Sequence, residues 1–227
     1  APADAPPAAA PAPDVPAAPR WGHADLDPTN DAAIGPPEPL ADCEQRLRAA
    51  GVTFKLARIG TGRKLGGIPT CGAEQVVRFK RGPGEIAYGN APLLTCQMAL
   101  ALADFERIVQ EDAERELGSR VARIDHLGTF NCREMANYDL ISEHSYANGI
   151  DIRRLHLVDG RVVDVLKDFR PSEAEPPDAR GAFLRGLAHR LYDEEVFSVV
   201  VTPFFDTAHR NHIHVDLARY RVDGSRP

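Results

Sequence analysis

The stretch Ile150-Asp-Ile-Arg-Arg-Leu-His-Leu157, then Val158-Asp-Gly-Arg161, then Val162-Val-Asp-Val-Leu166 decides the fold class. Two runs rich in aliphatic residues flank Asp159-Gly160, a pair that tolerates the positive φ angles a tight turn between antiparallel strands demands. A hairpin of 150–157 against 162–166 follows. Reading outward, Val121–Leu127 is a strand before it, and Val199–Val201 and His212–Leu217 are strands after it. Helices bracket these elements. Leu94, Met98, Leu102, Phe105 and Val109 recur at intervals of three and four, which predicts a helix over Leu93–Leu117 stopped by Gly118. Phe183, Leu187 and Leu191 predict a second helix over Asp178–Tyr192. Upstream, Asp42 caps a short helix that ends at Gly51, Val52–Ile59 and Glu74–Phe79 are strands, and a Gly-rich turn runs through Gly67. Long helices early and paired strands late make an α+β domain with a mainly antiparallel sheet and flanking helices.

The chain has 227 residues and a formal charge of -6. Both prolines and charge are unevenly spread. Eleven of the 19 prolines lie in the first 39 residues, and 16 of the first 20 residues are Ala or Pro. That composition offers too few large apolar side chains to offset the entropy of ordering, so residues 1–38 read as a disordered Ala/Pro-rich tether and 39–227 as the folded domain. The first 39 residues carry six acids against Arg20, which leaves the body nearly neutral. Such a body lacks the basic field that nucleic acids or anionic membranes require, so no nucleic-acid partner is expected. The longest apolar run, Phe197–Phe205, contains Pro203 and falls well short of the roughly 18 to 20 residues of a transmembrane helix. The sequence opens on Ala-Pro-Ala-Asp, read either as a mature chain whose signal peptide has been removed or as a chain trimmed at its start.

Three histidines crowd into His209-Arg210-Asn211-His212-Ile213-His214, followed by Val215-Asp216. Alternate residues of a strand share a face, so His212, His214 and Asp216 point one way and Ile213, Val215 and Leu217 the other. A second cluster, Ser142-Glu143-His144-Ser145-Tyr146-Ala147-Asn148-Gly149-Ile150-Asp151, places a His and an Asp seven residues apart. Small residues between them, Ala147 and Gly149, allow a tight approach. Each cluster alone also reads as polar surface. Together they supply two imidazoles and a carboxylate, a set suited to a catalytic zinc with a fourth position open, and a spare histidine remains beside it.

Ser-Glu-His-(x6)-Asp followed by a late His-x-x-His-x-His resembles the metallopeptidase superfamily of lysostaphin, D-alanyl-D-alanine peptidases and hedgehog. More closely, Cys71-Gly72, Pro92 to Cys96, Asn131-Cys132-Arg133, Ser142-Glu143-His144 and His212-Ile213-His214-Val215-Asp216 resemble the bacterial extensin-like C-terminal domain family, over about residues 40–223. The resemblance implies a hedgehog-like zinc fold with one zinc per chain held by His144, Asp151 and His214, and His212 as the catalytic histidine. The sequence departs from the peptidase pattern at Ala147 and Gly149, where Gly and Ala are usual. Carboxypeptidase relatives place a Glu near the last ligand, whereas Arg210 and Asn211 stand here, which points the base role to His212, as in endopeptidases.

Other polar residues admit two readings each. Arg133 clamps a substrate carboxylate or carbonyl, or forms a surface ion pair. Ser142 orients substrate or caps the turn before His144. His209 contacts substrate or a developing oxyanion, or is a solvated loop residue. Asp216 orients a ligand histidine, or pairs with Arg219 or Arg221.

The function expected from this resemblance is zinc-dependent hydrolysis of amide bonds in the peptide stems of bacterial cell-wall peptidoglycan, as an endopeptidase. The alternative is a non-catalytic zinc-containing module that binds wall peptides or a protein. Cys43, Cys71, Cys96 and Cys132 lack the close pairs of a structural zinc site. Two disulfides in a secreted or periplasmic protein are expected, with four buried thiols as the alternative. Of three possible pairings, Cys43–Cys71 and Cys96–Cys132 join neighbours in chain order.

Overall fold

The computed structural model describes residues 35–60, 63–65, 68–135, 141–176, 178–218 and 227, without side chains for 63–65 and 68–70. The expected tether therefore lies almost wholly outside the described residues, as do Arg219 and Arg221. Helix α1 (Cys43–Ala49) precedes β1 (Thr53–Ala57), β2 (Arg63–Leu65), β3 (Ile68–Cys71), β4 (Val76–Arg81), β5 (Ala87–Tyr88) and β6 (Leu93–Thr95). Then come α2 (Cys96–Leu117), β7 (Val121–His126), β8 (Gly149–Leu157), β9 (Val162–Asp164), α3 (Val165–Asp168), α4 (Ala179–Asp193), β10 (Val199–Val201) and β11 (Ile213–Asp216). The fold is α+β.

Its central sheet has the order β10-β11-β8-β7-β5, with β9 also paired to β8. All its pairings are antiparallel except β5 with β7. A smaller antiparallel sheet has the order β1-β4-β6. Helix α2 packs against α1, α4, β4 and β7, so it is covered on more than one stripe. Leu94, Met98, Leu102, Phe105 and Val109 are each 0% exposed, as their spacing predicts, and Ala99, Ala101 and Ala113 are also buried. The small alanines let neighbouring elements approach this helix closely. One large apolar cluster joins it to Leu47, Ile150, Leu155, Phe183, Phe197 and Val215.

Several boundaries differ from the sequence reading, each for a local reason. The segment Leu93–Thr95 is a strand and not the first turn of α2, because Leu94 pairs in register with Val77 of β4. Thr95 then caps the helix: its backbone is extended and its Oγ1 accepts the Met98 N–H at 3.3 Å. Gly118 ends the helix at φ 65, as expected. The hairpin turn at Asp159-Gly160 is present, with Gly160 at φ 89. Its second strand stops at Asp164, whose carboxylate accepts the Leu166 N–H at 3.0 Å and starts α3. The Gly-rich region expected to be a turn contains the hairpin β2–β3. Asp42 sits at the cap position of α1 but caps through its carbonyl, which accepts the Arg46 N–H; its side chain makes no cap bond.

The cysteine pairing also corrects the sequence reading. The bridges are Cys43–Cys96 and Cys71–Cys132. Helices α1 and α2 lie side by side, which brings their first residues together, and the ends of β3 and of the segment after β7 meet at one turn. Chain order says nothing of either approach, so the two covalent loops interleave.

Glu106 is a buried carboxylate on α2. Its Oε2 accepts the Gly84 N–H at 2.9 Å and its Oε1 accepts the Tyr88 hydroxyl at 2.9 Å, fastening the 82–88 segment to the helix. A Cβ at Gly84 would lie 2.9 Å from the Glu106 carbonyl oxygen, so no larger residue fits that approach. Burial pushes the Glu106 carboxyl up to about 7, against the lowering effect of these hydrogen bonds.

Candidate metal centre

The first part of the site is a single 3-10 turn, Glu143–Tyr146, followed by Ala147 at φ 57. Ser142 caps it, its Oγ accepting the His144 N–H at 3.4 Å. Neighbouring segments hold the turn by its backbone. The Asn131 N–H donates to the His144 carbonyl at 3.0 Å, the Gly72 N–H to Ser145 O at 2.8 Å, and the Thr95 N–H to Ala147 O at 2.9 Å. These three donors adjoin Cys132, Cys71 and Cys96, so both disulfides flank the turn. Asn148 adds a side-chain tie, donating to Glu143 Oε2 at 2.7 Å and to Leu217 O at 3.2 Å, while its own Oδ1 accepts the Thr95 hydroxyl. His144 is thereby fixed with 2% of its surface exposed.

The second part is a strand pair. Asp151 of β8 lies in register with His214 of β11, so both side chains stand on one face while Ile150, Ile152, Ile213 and Val215 enter the core. Gly149 makes the approach possible: a Cβ there would stand 3.3 Å from His214 Cε1 and 3.1 Å from Asp216 Cβ.

Three donor atoms converge. His144 Nε2 is 3.1 Å from Asp151 Oδ1 and 3.1 Å from His214 Nδ1, and the latter two atoms are 2.9 Å apart. Among the described residues, His144, Asp151 and His214 form the one group placed to hold a metal ion. Ligand atoms about 2.0 to 2.1 Å from one tetrahedral ion lie about 3.3 Å from one another, so these spacings are on the scale of a single small cation. The far side of His214 points the same way: its Nε2–H donates to Asp216 Oδ2 at 2.8 Å, which turns Nδ1 toward the other two donors. Asp216 is itself fixed, since its Oδ1 accepts the Ala218 N–H at 2.9 Å.

Electrostatics reflect the crowding. Burial raises the Asp151 carboxyl, but hydrogen bonds with His144 and His214 outweigh it and hold the group far below the usual carboxylate range. Burial lowers the His214 imidazole, yet Asp151 and Asp216 on either side hold it up to about 10.

His212 lies beside this set. Its Nδ1 is 2.9 Å from Asn211 Oδ1, to which it donates, so Nε2 is the free edge, 3.6 Å from Asp151 Oδ1. Burial draws its imidazole down to about 4, against the pull of Asp151. The His209 ring is 5.1 Å from that of His212 and 6.2 Å from that of His214. Its Nδ1–H donates to Asp206 Oδ1 at 2.7 Å, leaving Nε2 as its outer atom. Arg133 is tied to the His144 turn by its backbone: its N–H donates to Ser145 Oγ at 2.9 Å and its carbonyl accepts the Ser145 hydroxyl. Its guanidinium donates to Glu134 O at 3.1 Å.

Sequence reasoning overlooked Asn211 and Asp206 as the acceptors that orient His212 and His209. Their signal was short-range, a carbonyl-bearing side chain one residue before one histidine and three before the other. Asp216 stands on His214, the first of its two expected readings.

No curated protein and no solved structure matches the chain. Residues 41–225 match the family model described as Extensin-like protein C-terminus, a span that contains every residue of the site above. That span is most of the sequence, and the chain belongs to the Extensin-like protein C-terminus family.

Proposed function

We propose that the chain is a zinc-dependent hydrolase that cleaves amide bonds in the peptides of bacterial cell-wall peptidoglycan, acting as an endopeptidase. The observation that carries this reading is the convergence of His144, Asp151 and His214 with a fourth group, the His212 imidazole, beside them and separately oriented. A module that only binds has no need of that fourth group. The order of these residues also resembles the lysostaphin and D-alanyl-D-alanine peptidase superfamily, in which we place the chain. Two disulfides suit an oxidising compartment, so we assign it to the secreted or periplasmic space.

Zinc held by His144, Asp151 and His214 would supply a Lewis acid that polarises the scissile carbonyl and makes water more acidic. The remaining chemistry belongs to the chain. With Nδ1 tied to Asn211, His212 presents the Nε2 lone pair to the attacking water and takes its proton as the new C–O bond forms. The same nitrogen returns that proton to the amine as the C–N bond breaks. His209, held by Asp206, and Arg133, whose backbone is tied to the His144 turn, are assigned to orient substrate. Ser142 serves through the turn it caps, keeping His144 in place.

Digestion of purified peptidoglycan with mass analysis of the fragments tests the reading. Release of peptide fragments with new amine and carboxylate ends, abolished by chelator and restored by zinc, is the expected result. Intact stems after prolonged incubation of zinc-loaded protein would leave only the binding-module alternative.

A further inference from the structure

Arg153 occupies a place on β8 that no other residue shares. Residues 149–152 pair with β11, residues 154–156 pair with β9, and on the other edge β7 skips from Ile152 to Arg154. Arg153 is therefore the one residue of the strand in register with nothing, at a bulge where β11 gives way to β9. Bulges of this kind re-aim a side chain next to a site. Continuing the Ile213–Ile152 register by one step sets His212 level with Arg153. Ile152 and Leu155 are buried in the core while Arg153 and Arg154 between them are only partly buried, so the bulge leaves both on the face away from that core, the face that carries Asp151 and His214.

Its chemistry is incomplete. The Arg153 Nε is sealed from solvent and has no hydrogen-bond partner, and no carboxylate pairs with its guanidinium among the described residues. The next residue makes the contrast, since Arg154 is matched by Asp164. A buried N–H without an acceptor is rare in folded proteins and needs a reason, and a planar fork of donors next to a reaction site has an evident counterpart in a carboxylate.

We propose that Arg153 is a specificity-determining residue that binds a carboxylate of the substrate beside His212. This deepens the peptidase reading and rests on it, because a peptide stem is the ligand that would bring a carboxylate to this face. Arg133, whose backbone is bonded to Ser145 of the His144 turn, is the competing cation.

The test is calorimetric binding of two probes to the zinc-loaded full chain: a stem peptide ending in D-alanyl-D-alanine, and the same peptide as its C-terminal amide. The parent should bind the acid about 10- to 100-fold more tightly, the scale of one charged hydrogen-bonded pair. Arg153→Gln should erase that difference and Arg153→Lys should keep part of it, with zinc content and melting temperature at parental values in both. Parental discrimination in Arg153→Gln, its loss in Arg133→Ala instead, or equal binding of acid and amide by the parent would each overturn the assignment. The hydrolytic reading fails separately: acid preference that depends on Arg153 in a protein that cuts no peptidoglycan keeps this inference and removes that one.

Discussion

His212 Nε2 stands 3.6 Å from Asp151 Oδ1, near enough to share the same small volume and too far to bond it. His214, two residues on, reaches the same oxygen at 2.9 Å. β11 thus delivers His214 to this carboxylate, while His212, the residue just before the strand and not part of it as its sequence suggested, stands farther off. In the mechanism proposed above the nearer is the ligand and the farther the base. His212→Ala should therefore keep zinc and melting temperature at parental values while turnover falls by about 10² to 10⁴, the usual scale for a lost general base. Metal analysis and fragment release settle it. Loss of zinc in this variant would mean the two histidines are assigned the wrong way round, and undiminished turnover would remove the base.

The ligands should behave differently. Replacing His144, Asp151 or His214 by Ala removes one of three donors that lie within 3.1 Å of one another, and each variant should lose the single zinc. Asp216→Asn is the graded case. It leaves an acceptor for His214 Nε2 but removes the charge, and variants of such orienting groups typically lose 10- to 100-fold in metal affinity. Competition with a chromophoric chelator measures all four. Full occupancy in the three ligand variants would contradict the site.

The sequence was most legible where structure repeats with period two. Alternation of His214 and Asp216 with Ile213 and Val215 specifies which side chains of β11 share a face, and the Asp159-Gly160 pair marks the turn that joins β8, the strand carrying Asp151, to β9. It was less legible where a residue serves two elements. Leu94 fits the helical stripe of α2 and also the register with Val77, and the sheet wins because Thr95 can cap only from an extended backbone. Arg153 was invisible for a related reason: only the skip in the β7 register separates it from Arg154. The cysteine pairing depends on which segments meet around the His144 turn, and that is a property of the packed fold.

That pairing makes a direct prediction. Mapping of peptides without reductant should yield Cys43 linked to Cys96 and Cys71 linked to Cys132. A Cys43–Cys71 peptide would refute it. Opening either bridge should cost about 2 to 4 kcal/mol of stability. The zinc affinities should diverge. Gly72, Asn131 and Arg133, beside Cys71 and Cys132, all hold the His144 turn, so the Cys71→Ser/Cys132→Ser pair should weaken zinc more than Cys43→Ser/Cys96→Ser does.

Stability should also fall with rising pH, through Glu106. Its folded carboxyl titrates at about 7 against an ordinary value of 4.5, because burial disfavours the charged form. Between those values the folded chain holds a proton that the unfolded chain has released, so the native state binds more protons and each step up in pH favours unfolding. The loss begins near pH 4.5, is complete above about 7, and reaches about 3 kcal/mol. Glu106→Gln cannot titrate and keeps an acceptor for one of the two donors, Gly84 N–H or the Tyr88 hydroxyl. Denaturant titrations at pH 5 and pH 8 should show the parent losing stability between them by more than the variant does, with the difference on that scale. Equal slopes in the two proteins would mean that Glu106 is charged in the folded chain throughout this range.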